Sequence, residues 1–417
     1  MFGANGQGAR PAMSRKQKCL AALDAGSAKT CLLVAEEIGG KLAFRGFGQA
    51  DSKGWKRGAI INLEAAESSI RRAMEAAEED AGLALECVVV GIGASQIKGV
   101  NSHGGINISS RQRQIQREDM RRAVEEARKV NLPPDRVVLH VAPQEFQLDS
   151  LEAIRDPLGM SGGRLEADVH VITAAAPAHS NLIQAVHGAG LEVEDTVFEA
   201  LAAGEAMIGS DERELGVILA DIGAGSTDVV VYAQGILQHS FSVPIGGDHF
   251  TNDIAVGLRT PIPEAERIKR AFGVALEEMA GELISIEVPR VGDRPSRLAP
   301  QREVAQILQP RAAELLELIF DELCRNGLER QVGGGVVFTG GGARLAGLCD
   351  LTEQALAPSA RIGLAPRLDG LPPSLQEPAY AAAIGLLFYA QRLRLTRPAA
   401  GYGVLGKLRE LFTGGWA

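Results

Sequence analysis

Two apolar, β-branched runs, 217–220 and 229–231, flank the stretch Asp221-Ile222-Gly223-Ala224-Gly225-Ser226-Thr227-Asp228. Strand, glycine-rich turn, strand is the direct reading. The turn is rich in groups that hold phosphate. Gly223 and Gly225 permit a tight backbone whose N–H groups point inward, and Ser226 and Thr227 add hydroxyl donors. Asp221, ending the first strand, is suited to a hydrated divalent cation, because Mg2+ keeps most of its waters and takes few carboxylates directly. The same residues also suit a plain hairpin, so the reading depends on whether the chain supplies the rest of a site.

It does so in several places. Leu20 to Asp24, then Ala25-Gly26-Ser27-Ala28-Lys29-Thr30, then Cys31 to Ala35 repeats the pattern of strand, Asp, Gly, small hydroxyl and strand. Two such hairpins about 200 residues apart predict a duplicated domain whose halves each give one loop to a shared cleft. Gly340-Gly341-Gly342, between a strand and a helix, is a platform on which a flat ring can lie against backbone. Gly246 and Gly247 open a helix after a strand. Glu266, Lys269 and Arg270 put a carboxylate and bases on one helix face, which also suits a solvated ion pair. Glu199 stands where a strand gives way to a helix, a good place to orient a water. Acids are common there for dipole reasons as well. No GxxxxGK[ST] is present, and Gly91 and Gly93 lack the third glycine of a dinucleotide fingerprint.

These parts need elements to position them. The 417 residues suffice for two large domains, and 46% hydrophobic content with only 4% aromatics predicts an aliphatic core. A net charge of −9 argues against a general nucleic-acid surface. There is no signal-peptide pattern and no apolar run of membrane-spanning length. Cys19, Cys31, Cys87, Cys324 and Cys349 are scattered without a CxxC, as expected of unpaired thiols in a reducing compartment. Periodicity predicts helices over 63–81, 117–130, 178–189, 199–208, 263–273, 303–326 and 379–395, with Pro310 kinking the sixth or marking its first turn. Strands are expected at 87–92, at 136–141 and separately 145–148, at 164–174 and at 336–339.

In order, the parts are Asp-x-Gly-Ser, Glu-x-x-Ala-Ala, Asp-x-Gly-x-Gly-Ser-Thr-Asp, Gly-Gly-Asp, Glu-x-x-Lys and Thr-Gly-Gly-Gly. This order resembles the ATPase site of the actin/Hsp70/sugar-kinase superfamily. The resemblance implies an α/β, actin-like ATPase fold: two duplicated ribonuclease-H-like domains around a nucleotide cleft, with a small inserted α+β subdomain. It implies ATP and Mg2+, with Asp24 and Asp221 holding the metal through water. Ser27, Ala28 and Lys29 would face the phosphates from one side, and Gly223, Gly225, Ser226, Thr227, Gly246 and Gly247 from the other. Glu266, Lys269 and Arg270 would face ribose and adenine, Gly340, Gly341 and Gly342 would underlie the nucleoside, and Glu199 would stand at the superfamily's catalytic Glu, in a slow ATPase at most.

The stretches 136–146, 156–173, 211–217 and 376–387 are similar to signature segments of the FtsA family, the bacterial division actin homologues. Residues 1–17, rich in Gly, Lys and Arg, are expected to be a disordered N-terminus, and that resemblance implies the rest of the organisation. It gives a first core from 18–87, 171–205 and 375–395, an insert at 88–170, and a second core from 206–250 and 335–374. It further implies an FtsZ-binding subdomain at 251–334, a linker at 396–402 and a membrane-targeting helix at 403–417. One actin subdomain would be missing, with the insert sitting elsewhere. The implied partners are the FtsZ C-terminal tail, other copies of the chain in a filament, later division proteins and lipids of the inner face of the cytoplasmic membrane at the division site. Arg290, Arg294, Arg297, Arg302 and Arg311 are candidates for an acidic tail. The alternatives are an assembly platform for pili or secretion, a small-molecule kinase, or a nucleotide-binding pseudoenzyme.

The tail itself is legible. Val404, Leu405, Leu408, Leu411 and Phe412 share one helical face, Lys407 and Arg409 flank it, and Trp416 follows. Burying five apolar side chains contributes on the order of 10 kcal/mol, and ordering the segment costs a similar amount. One copy therefore binds weakly and many copies on a polymer strongly. Deleting 403–417 is expected to release the protein from anionic liposomes in a flotation assay; unchanged flotation would contradict this reading.

Overall fold

The computed structural model describes residues 19–93, 96–109, 113–292, 295–356, 359–365 and 368–396. The tail residues Val404, Leu405, Leu408, Leu411, Phe412 and Trp416, the linker from 397 and Arg294 lie outside them.

Two five-stranded sheets carry the same topology. In the first, the strands β1 (Cys19–Ala25), β2 (Lys29–Ile38) and β3 (Lys41–Asp51) form an antiparallel meander. Two parallel strands, β6 (Cys87–Ile92) and β11 (Glu192–Phe198), extend it in the order β11-β6-β1-β2-β3. In the second, β12 (Val217–Ile222), β13 (Thr227–Ala233) and β14 (Ile236–Val243) repeat the meander. Parallel β17 (Val336–Thr339) and β18 (Ala360–Ile362) extend it as β14-β13-β12-β17-β18.

The central strands are apolar on both faces because both faces are covered. In β1, Ala21, Leu23 and Ala25 pack with Ala66, Ile70 and Ala77 of the helix Leu63–Ala81. The alternate Leu20 and Ala22 pack with Ile384 and Leu387 of the helix Ala381–Thr396. The first helix is capped at both ends: Asn62 Oδ1 accepts from Ala65 N at 3.0 Å, and Gly82 ends it at φ 65°. The first core cluster continues through Ala203 and Met207 of the helix Glu199–Met207 to Val217 and Leu219 of β12. The two lobes are thus joined through shared apolar packing at the helix Glu199–Met207.

The boundary expected at 88 needs correction. Cys87–Ile92 is β6, hydrogen-bonded between β1 and β11, so the insert begins after the first core's own strand. The insert is a four-stranded sheet in which Lys98–Asn107, Arg164–Ala175, Arg136–Leu148 and Leu151–Ile154 lie side by side in that order. Its strands are β7 (Lys98–Asn107), β8 (Arg136–Leu148), β9 (Leu151–Ile154) and β10 (Arg164–Ala175), so β10 also runs past the expected boundary at 170. The helix Arg117–Ala127 covers one face. Pro143-Gln144 does not split β8 in two. The pairing steps from Asp168–Glu145 to Val169–Pro143, so Gln144 is the extra residue of a bulge. The bulge aims Gln144 at the second lobe, where its Nε2 donates to Leu237 O at 2.9 Å. His170 Nε2 meets Ser240 Oγ at 2.8 Å, and Arg155 Nη2 donates to Gln234 O at 2.7 Å. The insert is covalently part of the first lobe and hydrogen-bonded to the second.

Residues 247–292 and 295–325 form the remaining body: helices Gly247–Leu258, Ile262–Phe272 and Gln301–Arg325, with a hairpin of β15 (Ser285–Val288) and β16 (Arg297–Pro300). Pro310 lies inside the long helix, not at its first turn. Pro310 and Gln306 are both exposed, so water can satisfy the Gln306 carbonyl that the proline leaves without a donor.

The helices Glu199–Met207 and Ala381–Thr396 touch at glycine: a Cβ at Gly385 would overlap the Ala202 carbonyl. Gly385→Ala is expected to destabilise the chain by about 3 kcal/mol, read as a lower urea midpoint. An unchanged midpoint would contradict this packing.

Candidate functional site

The turns of the two expected hairpins are built alike. Gly26 N donates to Lys29 O at 3.0 Å, and Gly223 N donates to Ser226 O at 2.9 Å. Asp24 precedes the first turn as Asp221 precedes the second, and the cross-strand partners are Asp24–Cys31 and Asp221–Asp228. Both hairpins open on one cleft of about 610 Å³ between the lobes.

The cleft gathers most of the residues singled out by sequence. Asp24, Ser27, Ala28 and Lys29 line it from the first lobe, as does Glu199 at the start of its helix. Asp221, Gly223, Gly225 and Ser226 line it from the second, as do Gly247, Glu266, Lys269, Arg270, Gly340, Gly341 and Gly342. Thr227 and Gly246 are not among the lining residues, which corrects the expectation that they face phosphate. The Thr227 hydroxyl is fully buried and donates to Ile245 O at 2.8 Å. Gly246 packs under the turn, where a Cβ would stand 2.6 Å from Ala224 O.

The floor is acidic. Asp24, Asp221 and Asp228 are buried, and Glu199 is part-exposed to the cleft. Burial pushes the Glu199 carboxyl well above its ordinary range, with Asp24, Asp228 and Asp221 adding to the rise. Burial, Asp228 and Asp24 push Asp221 up to about 7, against the Thr339 hydroxyl and Lys29. Burial raises Asp24, partly offset by Lys29. Glycine makes the crowding possible: a Cβ at Gly93 would stand 2.5 Å from Glu199 Oε2 and would overlap Asp228 Oδ2. Asp228 and Gly93 were missed as site residues, although directly opposed residues of an antiparallel pair share a face, which already places Asp228 beside Asp221.

Lys29 is the cation within reach of these acids among the described residues. Its Nζ donates to Ala379 O at 2.6 Å and stands 3.6 Å from the centroid of the Tyr380 ring. Burial opposes its charge, but Cys31, Asp24, Tyr380 and Asp221 outweigh that and raise its pKa. Gly340 N donates to Pro378 O at 2.9 Å, so the segment 378–380 is gripped from both lobes. At the rim, Arg344 Nη1 meets Glu377 Oε2 at 2.9 Å.

The triple glycine divides its duties. Gly340 has φ 79°, and a Cβ there or at Gly342 would overlap Asp221 or Ile222, whereas Gly341 faces open space. Opposite, Lys269 Nζ meets Glu266 Oε2 at 2.7 Å, Gly247 O at 2.9 Å and Thr251 Oγ1 at 2.8 Å. Burial opposes the Glu266 charge, yet hydrogen bonds from Lys269, Thr251 and Arg270 bring its carboxyl down to about 2. The candidate tail-binding arginines are engaged within the chain: Arg297 with Glu303, Arg302 with Glu277, and Arg311 with Asp253 and Glu314.

These residues fit a hydrated divalent cation with a polyphosphate. Several carboxyl groups forced together above their ordinary pKa outnumber Lys29, the cation within their reach among the described residues, and the glycine turns beside them offer backbone N–H groups to anions. In cation-free protein the folded state holds the Asp221 proton where the unfolded chain has lost it. Stability therefore falls as pH rises from 3.8 towards about 7, by at most about 1.4 kcal/mol per pH unit for this group. Urea midpoints across that window should show the fall, and Asp221→Asn should flatten it. A profile that Asp221→Asn leaves unchanged would contradict the assignment.

Comparison with known proteins agrees with this architecture. The family model described as cell division protein FtsA matches residues 218–385, and that of the SHS2 domain inserted in FtsA matches 94–173. The chain is 40% identical over 373 residues to cell division protein FtsA of Pseudomonas aeruginosa, covering 89% of each chain. It is 35% identical over 391 residues to that of Escherichia coli K12, covering 92% of this chain and 93% of the relative. Among solved structures, it resembles the PilM–PilN type IV pilus biogenesis complex with TM-score 0.64 at 19% identity, covering 89% of this chain and 98% of the other. MreB5 of Spiroplasma citri bound to AMPPNP gives TM-score 0.54 at 14% identity, covering 91% and 97%. The structural likenesses establish an actin-like fold; the sequence matches establish that the chain belongs to the FtsA family of cell-division proteins.

Proposed function

We propose that this chain binds ATP with Mg2+ in the cleft and polymerises on the inner face of the cytoplasmic membrane at the division site. There it tethers FtsZ filaments by their C-terminal tails and recruits later division proteins. The observation that carries the nucleotide part is the pair of like hairpins closing on one acidic floor. A structural relative bound to AMPPNP supports it.

In this reading Asp24 and Asp221 hold the metal through water. Ser27, Ala28 and Lys29 face the phosphates from the first lobe, and Gly223, Gly225 and Ser226 from the second. Glu266, Lys269 and Arg270 border ribose and base, and Gly341 gives the nucleoside its open surface. Asp24 and Asp221 would hold Mg2+ through its waters, and the charge chemistry it would supply is to offset the carboxylates and the phosphates. Glu199 orients water. Burial, with Asp24, Asp228 and Asp221 beside it, pushes the Glu199 carboxyl well above its ordinary range.

The membrane part rests on the apolar face from Val404 to Phe412. Among the described residues, no helix is long and apolar enough to cross a membrane. For the FtsZ tail, the surface around β15 and β16 offers Leu283, Val291 and Leu298, exposed by 98%, 63% and 72%, with exposed Arg290 nearby. An acidic, apolar peptide fits such a surface. Arg302, itself exposed, can exchange Glu277 for a peptide carboxylate at the rim.

Two measurements test this. Asp221→Ala is expected to lower ATP affinity at least about tenfold and to reduce polymerisation on liposomes in parallel; normal filaments from a variant that no longer binds ATP would refute the coupling. Leu298→Asp is expected to weaken binding of an FtsZ tail peptide by about tenfold, and unchanged affinity would remove this surface.

A further inference from the structure

The sheet of the first lobe has an end at the cleft and an end away from it. Asp24, near the close of β1, stands at the cleft end. The helix Ala381–Thr396 starts there too, just after Ala379 and Tyr380, which line the cleft. It runs along the sheet, where Leu387, Ala390 and Leu393 pack with Leu20, Ala22 and Leu42. Its last turns reach the far end. Gln391 Nε2 donates to Gly40 O at 3.0 Å, in the turn that joins β2 to β3. Arg394 Nη2 stands 3.7 Å from Glu194 Oε2, near the start of β11.

The start of β1 lies at the same end. Cys19 pairs with Glu36 of β2, just before that turn, and Ala22 beside Val89 sets the start of β1 level with the start of β6. Residues 19 and 396 therefore stand at one end of one sheet, opposite the cleft. Ile38 and Leu395, both largely exposed, add apolar side chains there. The segments that flank these two residues are directed to one place. Before Cys19 the chain holds Arg10, Arg15, Lys16 and Lys18 and no Asp or Glu, although its net charge is −9. After Thr396 come the apolar residues Val404 to Phe412, where Glu410 offsets one of Lys407 and Arg409. Arg15 and Arg10 precede Cys19 by four and nine residues, and Val404 follows Thr396 by eight. Such lengths span at most about 15 Å, 30 Å and 30 Å, so the cations and the apolar face can meet one surface.

We propose that residues 1–18 are a second membrane contact, holding the headgroups of anionic lipids beside the apolar tail, so that the anchor is the two termini together. This rests on the membrane reading above. A chain of net negative charge is repelled by an anionic surface, and the tail alone offsets little of that. One weak apolar insertion and one basic patch are each marginal and together stable. Each basic residue near an anionic surface is worth about fivefold in binding. That effect fades within a Debye length of about 8 Å, so the cations must lie where the tail enters the membrane. The shared exit at the far end of the sheet meets that requirement.

The test is flotation of the full chain on vesicles of phosphatidylcholine, with and without phosphatidylglycerol, at low and high salt. One variant combines Arg10→Gln, Arg15→Gln and Lys16→Gln and spares Lys18 beside β1; its urea midpoint reports the fold. It is expected to keep that midpoint, to bind the phosphatidylglycerol vesicles at least about tenfold more weakly with a shallower salt dependence, and to bind phosphatidylcholine alone as the unaltered chain does. Unchanged affinity and salt dependence would overturn the second contact and leave the tail reading standing. Unchanged affinity with a lowered midpoint would overturn it too, by assigning these cations to the acidic surface of the chain itself. An equal loss on both kinds of vesicle would overturn it because the effect would not be electrostatic. Deleting 403–417 tests the tail separately: if that variant binds both kinds of vesicle as before, the tail reading falls and the joint anchor with it.

Discussion

Asp24, Asp221, Asp228 and Glu199 are brought within electrostatic reach of one another in the floor of a cleft, and that crowding governs the rest of the structure. Like charges in a poorly solvated space repel or take up protons. Here the fold holds them together by removing side chains around them. Gly93 lets Glu199 and Asp228 approach, and Gly340 lets the Thr-Gly-Gly-Gly turn pass over Asp221. Two of the acids, Asp221 and Asp228, belong to one lobe, and Asp24 and Glu199 to the other. Any group that neutralises them all must therefore also hold the lobes together.

The lobes are organised for such a group to matter. They share apolar packing along the helix Glu199–Met207, where Gly385 lets two helices meet closely. Away from that side they meet through polar contacts: Arg344 with Glu377, Gly340 with Pro378, and the insert's Gln144, Arg155 and His170 on β14 and its turn. Burial and His239 push His170 down to about 3, so that contact stays neutral at ordinary pH. A dry hinge with polar fasteners suits small changes of angle, and the insert, fastened to the second lobe, would share in them. Under the proposed function the cleft would act less as a catalytic centre than as a latch whose state is felt at distant surfaces.

Much of this was legible in the sequence, because strand, Asp and glycine turn recur with the same spacing at Asp24 and Asp221. The helix at 63–81 was readable from its apolar stripe. What was hidden depended on long-range geometry. Pro143-Gln144 reads as a strand break, but pairing with β10 on one side turns it into a bulge. Cys87–Ile92 reads as the start of an insert, but it is an interior strand because β11 returns beside it. Thr227 looks like a phosphate donor, yet β13 turns its hydroxyl inward to Ile245. The hairpin at 55–60, β4 (Trp55–Lys56) with β5 (Ala59–Ile60), is only two short strands, and nothing in its composition announces that its tip meets Ser27 and Gly225. Arg297, Arg302 and Arg311 look free in sequence and are paired in space with acids both near and far along the chain.

The central claim is that a nucleotide bridging the two hairpins fixes the angle between the lobes. Cys324 is exposed on the second lobe, and Glu79 is exposed on the helix Leu63–Ala81 of the first. Spin labels at Cys324 and a Glu79→Cys substitution would report the interlobe distance by double electron–electron resonance. The account predicts a broad distribution without nucleotide that narrows and shifts when ATP and Mg2+ are bound. Identical distributions with and without demonstrably bound nucleotide would contradict it.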